Sequence, residues 1–116
     1  MLGTDTPVPP YFYRYVGQEE MDSIIRTGII QSKSPHTFYT RDYYTSGSEA
    51  QRRLSMASRP RYRVGPIPER IMPFFDAAPE GRVQPAFGQR GGGHECATSH
   101  PLVLGEFVVT YDFLEV

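Results

Sequence analysis

The stretch Gly91-Gly92-Gly93-His94-Glu95 organises this chain of 116 residues. Three consecutive glycines contribute no side-chain packing and lose much conformational entropy on folding. A folded domain therefore tolerates them where the backbone turns sharply or lies against a bulky group. The small residues Cys96-Ala97-Thr98 follow and favour a strand with Glu95 at its mouth. These residues leave two interpretations open: a catalytic carboxylate that a substrate reaches past the glycines, or a solvated glutamate in a glycine-rich hairpin loop.

The composition is that of one globular domain. The chain is long enough for a single core and too short for two. Hydrophobic residues make up 39% of it, and no apolar run approaches the roughly 20 residues that span a bilayer, so we expect no membrane partner. The 11 glycines and 11 prolines favour short strands and loops over long helices. Prolines at three of the first ten positions predict a tail or linker over residues 1–10 and a single domain over residues 11–116.

The charge distribution argues against nucleic acid as a partner. The net charge is -1, so the chain has no global basic field of the kind that gives non-specific nucleic-acid affinity. A local cluster could hold a phosphate or an acidic partner, or it could be a solvated helix face and strand edge. Its members are Arg52, Arg53, Arg59, Arg61, Arg63 and Arg70. The single cysteine excludes an internal disulfide framework.

The clearest elements lie in the first half of the chain. Residues 11–16 are dense in aromatic and β-branched side chains and predict a strand, on which Arg14 shares a face with two apolar residues. Arg14 is then either an edge residue that reaches water or an anion contact lining a cleft. Residues 18–27 predict a short amphipathic helix that Gly28 ends. A second strand follows at residues 36–40, where an aromatic side chain is either core or a stacking platform.

Weaker signals place the remaining elements. Ser46 and Glu49 form a capping box, which predicts a second helix that runs to about Met56. The other predicted strands cover residues 61–64, 71–75, 102–104 and 107–113, and we expect the last of them to be central in its sheet. The prolines in and near the first two of these strands predict sheet edges or bulges. Residues 76–93 predict a long polar loop.

Signatures of several common chemistries are missing from the sequence. It contains no G-x-x-x-x-G-K-[ST] phosphate loop, no G-x-S-x-G nucleophile elbow and no H-E-x-x-H zinc helix. His94, Cys96 and His100 match no common zinc spacing, and Cys96 has no evident activating base beyond His94. We therefore predict no metal site.

Five segments carry a family resemblance. They are Tyr13-Arg14-Tyr15-Val16, the helix ending in Thr27-Gly28, Thr37-Phe38-Tyr39-Thr40, Ser48-Glu49-Ala50-Gln51-Arg52-Arg53-Leu54, and the glycine run with Glu95. Together they resemble the TreTu-type toxin domains at the C-termini of bacterial Rhs proteins, a branch of the ADP-ribosyltransferase toxins. The resemblance covers most of residues 11–104. It implies an α+β fold in which a split, mainly antiparallel β-sheet with two short helices holds NAD in a central cleft.

The resemblance also implies roles for individual residues. Glu95 would be the catalytic glutamate, which accepts a hydrogen bond from the nicotinamide ribose and stabilises the oxocarbenium that forms as nicotinamide leaves. Arg14 would bind the NAD phosphates or the adjacent ribose. Tyr39, or else Tyr43 or Tyr44, would stack on the nicotinamide, with Thr40 on the same strand. Residues 84–93 would hold the protein substrate, through Gln84, Phe87, Gln89 and Arg90.

The implied function is that of an antibacterial mono-ADP-ribosyltransferase that consumes NAD as a co-substrate. Many relatives carry Glu or Gln two residues before the catalytic glutamate, whereas this chain has Gly93, so transfer to arginine is not expected. The implied target is elongation factor Tu, whose modification blocks translation. The family further implies a cognate immunity protein, secretion as the C-terminal part of a larger effector by type VI secretion, and action in the target-cell cytoplasm.

Three alternatives stay open. A ribonuclease toxin would use His94 and Glu95 as acid and base with the arginine cluster on phosphate. An NAD glycohydrolase would use the same cleft without a protein acceptor. A non-catalytic adaptor would not need Glu95.

Overall fold

Eight short strands and two helices make up the described part of the chain. A computed structural model describes residues 10–31, 36–105 and 110–116. The helices are α1 (Gln18–Thr27) and α2 (Gly47–Arg53). The strands are β1 (Tyr11–Val16), β2 (Ile29–Ile30), β3 (Thr37–Tyr39), β4 (Tyr62–Pro68), β5 (Ala78–Arg82), β6 (His94–Thr98), β7 (Leu102–Val103) and β8 (Tyr111–Phe113). These strands pair antiparallel, so the domain is α+β, as the sequence predicts.

Strand β1 joins two three-stranded sheets. One has the order β1-β4-β8 and the other β3-β6-β5, while β2 and β7 form a separate pair. The register between β1 and β4 shifts at Tyr13, which faces the dipeptide Gly65-Pro66 as a bulge. Tyr13 instead exchanges backbone hydrogen bonds with Thr40, at 2.7 and 3.0 Å. The two sheets therefore diverge from β1, and Pro66 lies at a bulge, as predicted.

Side chains from both faces of β1 are buried. Phe12 and Val16 pack with the inner face of α1 and with Tyr39 in the larger core cluster. Tyr15 packs with Ala50 of α2 in a smaller cluster. Each fully buried apolar side chain contributes about 1.5–3 kcal/mol to folding, so both helices are held by what they cover on β1.

The ends of the helices follow local sequence signals. Helix α1 has the predicted bounds, and Gly28 ends it in the left-handed conformation at φ +70°. The capping box forms at α2, where the Glu49 amide donates to Ser46 Oγ at 3.2 Å. Helix α2 ends three residues earlier than predicted, at Arg53, because Ser55 takes a left-handed backbone conformation with φ +49°.

Two predictions about the middle of the chain are wrong. Residues 71–75 do not form a strand: a 3₁₀ helix covers Glu69–Ile71, and Pro73, which lacks an N–H, follows in irregular chain. Residues 76–93 are not one loop, because β5 lies within them and pairs with β6. Its sequence, Ala-Pro-Glu-Gly-Arg, has low β-propensity, so this strand depends on the ladder with β6 rather than on its own residues.

The prediction of a central final strand is also wrong. Strand β8 lies at the edge of its sheet, and Tyr111 and Phe113 are exposed. Thr110, also within that predicted strand, lies outside β8, and residues 107–109 and most of the predicted tail, residues 1–9, lie outside the described residues. The longer described helix, α1, has 10 residues, and neither helix has the length and apolarity that a membrane span requires.

Candidate active site

A cavity of about 450 Å³ lies beside β1, β3 and β6. The three strands and the residue that follows β3 contribute to its wall Tyr13, Arg14, Tyr15, Phe38, Tyr39, Thr40, His94 and Glu95. The turn after α2 and the loop before β6 close the other side. Its volume is that of a typical small-molecule site, and its wall combines apolar surface with a few polar groups, as such sites do.

The register of β3 and β6 directs Glu95 to the cavity. Tyr39 lies opposite Cys96, and the same register brings Thr40 opposite Glu95. Side chains that lie opposite each other in an antiparallel pair share a face of the sheet, and alternate residues along a strand do so too. Phe38, Thr40 and Glu95 therefore share the cavity face. Tyr39 and Cys96 are on the opposite face, buried in the core.

Glu95 is a half-buried carboxylate without a compensating partner. No N–H or O–H group of the residues that the structure describes donates a hydrogen bond to its side chain. Burial raises the pKa of Glu95 above its ordinary value, and the nearby His94 and His36 offset only part of this effect. Because most buried polar groups in proteins are paired, an unpaired carboxylate with a raised pKa in a cavity is a candidate for chemistry.

Arg14 reaches the same cavity from β1, already held by two neighbours. Its Nε and Nη2 donate to the two carboxylate oxygens of Glu20, at 2.6 and 2.9 Å. Its Nη1 donates to the backbone oxygen of Phe38 at 2.9 Å. A guanidinium has five N–H donors, so these three bonds leave two for a ligand. The structure thus brings Arg14 and Glu95 to one cavity, and their roles in NAD binding and catalysis stay predictions.

Of the tyrosines predicted to stack on a cofactor, Tyr39 lines the cavity but offers it little surface, and Tyr43 and Tyr44 lie outside the cavity wall. Tyr39 is 2% exposed, and its ring packs in the core. Tyr44 is 8% exposed and donates its hydroxyl to Asp42, outside the cavity wall. Tyr43 covers a buried arginine instead. The aromatic ring on the cavity face is that of Phe38, which is 43% exposed. Alternation along β3 separates Phe38 from Tyr39, but the sequence did not indicate which of the two faces is buried.

The predicted substrate loop reaches the cavity with its first residues only. Gln84 and Phe87 line the cavity, whereas Gln89 and Arg90 do not. Phe87 is 72% exposed beside the cavity, with φ +52°, which is rare for an aromatic residue. The role of these four residues in substrate binding stays a prediction.

Backbone strain concentrates at the cavity wall. Ser55 and Phe87 are the two residues other than glycine with positive φ in the described part of the chain, and both line the cavity. The Ser55 hydroxyl donates to the Gln84 oxygen at 2.8 Å and so ties the turn after α2 to the loop before β6. Such conformations persist where the surrounding structure imposes them, often at functional sites.

The glycine run packs against the end of α2. The amides of Gly91 and Gly93 donate to the last two carbonyl groups of that helix, at 2.9 and 3.0 Å, which satisfies acceptors that a helix end leaves open. A Cβ atom at Gly93 would lie 2.8 Å from Tyr44 Oη and 2.9 Å from the Arg53 oxygen. The position two residues before Glu95 therefore has no room for a side chain, and a second carboxylate cannot stand there in this fold.

His94 belongs to a hydrogen-bonded network on the other face of β6. Its Nδ1 accepts from the Arg41 amide at 2.9 Å, and its Nε2 lies 2.8 Å from Glu80 Oε1. A backbone amide can only donate, so the ring carries its proton on Nε2, towards Glu80. Asp42 accepts from the His94 amide at 2.7 Å and from the Tyr44 hydroxyl at 2.6 Å. We call Arg41, Asp42, Tyr44, Glu80 and His94 the bracing network.

Other candidate groups near the cavity do not fit catalysis. Both ring nitrogens of His94 are engaged, so this histidine has no free nitrogen with which to move a substrate proton. Cys96 is fully buried, and desolvation raises its pKa to about 12, so it does not supply a thiolate nucleophile. Across residues 10–31, 36–105 and 110–116, no three His, Cys, Asp or Glu side chains converge as metal ligands would.

Comparisons with known proteins return nothing that extends this description. No family model matches the chain, and neither a curated protein nor a solved structure is significantly similar to it.

Proposed function

We propose that this domain is an NAD-dependent mono-ADP-ribosyltransferase in which Glu95 is the catalytic residue. The observation that carries the proposal is the unpaired Glu95 carboxylate in a cavity that it shares with Arg14 and Phe38. NAD has a cationic nicotinamide ring and an anionic pyrophosphate. A carboxylate and an exposed aromatic ring suit the cationic nicotinamide ring, and a guanidinium with two open donors suits the pyrophosphate.

The shape of the fold supports the finer class. An ADP-ribosyltransferase-like split sheet needs two sheets that separate and leave a cleft between them. Here the sheets diverge from β1 at the Tyr13–Thr40 bridge, and the cavity lies beside that bridge. We take this as support for the split-sheet architecture that the sequence resemblance implies.

The proposed chemistry needs little from the protein besides position and charge. Glu95 accepts a hydrogen bond from the ribose 2′-hydroxyl of NAD. The bond between the ribose C1′ and the nicotinamide nitrogen breaks, and nicotinamide leaves as a neutral molecule with the bonding electrons. Positive charge develops on the ribose, where the fixed Glu95 carboxylate stabilises it most strongly in a cavity with little water. The acceptor then attacks C1′ and loses its proton.

Thr40 and Phe38 support Glu95 in this scheme. Thr40 follows the last pair of the β3–β6 ladder, and its backbone bonds to Tyr13 while its hydroxyl accepts from the Asp42 amide, so it fixes the end of β3 beside Glu95. We assign the stacking role to Phe38 in place of Tyr39, because Phe38 offers an exposed ring on the cavity face whereas the Tyr39 ring is enclosed in the core.

The family resemblance extends the proposal to partners. The acceptor would be a protein, with elongation factor Tu as the leading candidate, and a cognate immunity protein would neutralise the toxin. Delivery would follow secretion as part of a larger effector into the cytoplasm of a competing cell. The crowding at Gly93 leaves no room for the second carboxylate that generally accompanies transfer to arginine, so we expect a different acceptor side chain.

The test is incubation of the protein with labelled NAD and a bacterial lysate. We expect a labelled protein band with the wild type and a loss of at least about 100-fold for Glu95→Gln, which keeps the shape but removes the charge. Glu19→Gln, an exposed glutamate of α1 away from the cavity wall, is the matched control and should match the wild type.

The same assay separates the alternatives. Free nicotinamide without a labelled protein would identify an NAD glycohydrolase that uses the same cavity. The absence of both free nicotinamide and labelled protein would refute NAD chemistry. Cleavage of a dye-labelled RNA would then identify a ribonuclease.

A further inference from the structure

We infer that Glu20 is a positioning residue that holds the Arg14 guanidinium in the orientation in which its two open N–H donors meet a phosphate of NAD. This inference rests on the proposed function. Glu20 lies outside the cavity wall, and its link to the cavity is the Arg14 guanidinium that its carboxylate binds.

The geometry of the pair is that of a fixed fork. The Glu20 carboxylate accepts from both Nε and Nη2 of Arg14, at 2.6 and 2.9 Å, which is a bidentate arrangement. Both side chains are largely buried, with 14% and 18% of their surfaces exposed. A bidentate pair with so little solvent around it fixes the plane of the guanidinium as well as its place.

Three elements meet at this guanidinium. Arg14 belongs to β1, Glu20 to the first turn of α1, and the third acceptor is the Phe38 oxygen on β3, at 2.9 Å. The contact with Phe38 places the guanidinium beside the strand whose side chains face the cavity. With its three inner donors engaged in this way, Arg14 presents a fixed remaining pair to a ligand.

Pre-organisation explains why a carboxylate next to a phosphate-binding arginine helps rather than hinders. A free arginine side chain loses much rotamer entropy when a ligand fixes it, and a fork that is already fixed loses less. The carboxylate also cancels the formal charge of Arg14, so the phosphate is recognised by hydrogen-bond geometry more than by net charge. Binding should then depend only weakly on salt.

Glu20 could instead compete with NAD for the Arg14 guanidinium, and the test separates this role from positioning. Were Glu20 a competitor that occupies Arg14 until NAD arrives, its removal would release the guanidinium and tighten binding. Positioning and competition therefore predict changes of opposite sign in the dissociation constant.

The experiment is calorimetric titration of the full domain with carba-NAD, an analogue that lacks the ribose ring oxygen and cannot lose nicotinamide. We expect Glu20→Gln to weaken binding about tenfold or more, because neither donor of the fork then has a charged acceptor and one of them faces an amide NH2 that cannot accept. Glu20→Asp, which keeps the charge but is too short for the same fork, should weaken it as well. Glu19→Gln on the same helix should bind like the wild type.

A double-mutant cycle shows whether Glu20 acts through Arg14. In an Arg14→Lys background, which has lost the fork, Glu20→Gln should change the dissociation constant less than twofold. Thermal unfolding of each variant shows which of them are folded at the titration temperature, and the cycle uses those variants.

The outcomes distinguish this inference from the proposed function. Unchanged or tighter binding by Glu20→Gln and Glu20→Asp overturns the positioning role. An equal effect of Glu20→Gln with and without the Arg14 fork overturns it too. In both cases, carba-NAD binding by the wild type leaves the proposed function standing. Absence of carba-NAD binding by the wild type overturns both.

Discussion

The two faces of β6 differ in how completely their polar groups are paired. On one face, the His94 ring has a partner at each nitrogen, and hydrogen bonds from Arg41 and His94 lower the pKa of Glu80. On the other face, one residue along, no group of the described chain pairs with the Glu95 carboxylate, and burial raises its pKa. Strand β6 therefore carries His94, whose hydrogen bonds stabilise the fold, next to Glu95, whose charged form folding disfavours.

This difference separates structural polar residues from functional ones. A paired polar group contributes stability, and its loss leaves partners unsatisfied. An unpaired, half-buried carboxylate opposes folding, so a natural chain keeps it where another property needs it. The bracing network and the glycine run hold the start of β6 through hydrogen bonds that do not involve the Glu95 side chain. Each face can be disturbed separately, and the effects should fall in a definite order.

The largest effect on stability should come from Gly93→Ala. The new methyl group would meet the Tyr44 hydroxyl and the Arg53 carbonyl at under 3 Å, in a place closed by backbone. We expect a loss of about 2–3 kcal/mol in the free energy of unfolding, measured by urea denaturation.

Gly92→Ala is the matched control for this clash. Its Cβ would have open space, with the nearest atom 4.0 Å away, but its φ of +94° strains any side chain. We expect a smaller loss, about 1–2 kcal/mol. Equal losses at the two positions would show that conformation, and not the packing against α2, explains the glycine run.

The next effect should come from His94→Phe, which keeps the ring and removes both nitrogens. The Arg41 amide and Glu80 would lose their partner, at a cost of about 1–3 kcal/mol in unfolding free energy. NAD turnover per folded molecule should stay within about threefold of wild type, because the Arg41 amide and Glu80 engage both ring nitrogens, which are therefore not open to a ligand in the cavity. A variant of undiminished stability without activity would instead place His94 in the chemistry.

The contrast between the faces was only partly accessible from the sequence. Helix ends are set by adjacent residues, so the capping box at Ser46 and the stop at Gly28 could be predicted. Alternation gave two faces for β3 but not the choice between them, which depends on the core that Tyr39 enters after distant strands have paired. The position of β5 depends on its ladder with β6 for the same reason, and no local signal marks it.

A smaller effect of opposite sign is expected for Glu95→Gln. Removal of an unpaired, desolvated charge should raise the free energy of unfolding at pH 7 by about 0.5 kcal/mol while it removes activity. The folded-state pKa of Glu95 lies above the value in the unfolded chain, so the charged form penalises the folded state. The advantage of the variant should therefore be complete above the folded-state pKa and disappear as the pH falls through it. A variant less stable than wild type at pH 7 would mean that Glu95 has a stabilising partner.

The smallest effect is expected for Tyr39→Phe, on the buried face of β3. The Tyr39 hydroxyl is buried, and none of the described residues forms a hydrogen bond with it. Desolvation raises its pKa, which keeps it neutral. Its removal should change the free energy of unfolding by less than about 0.5 kcal/mol and leave the KM for NAD unchanged, since the ring is enclosed in the core.

Tyr15→Phe is the control, because the Tyr15 hydroxyl donates to the Asp42 oxygen and accepts from the Tyr44 amide, and its loss should cost about 1–2 kcal/mol. A raised KM for NAD in Tyr39→Phe would return the stacking role to Tyr39, whereas a raised KM in Phe38→Leu alone would place the cofactor against Phe38.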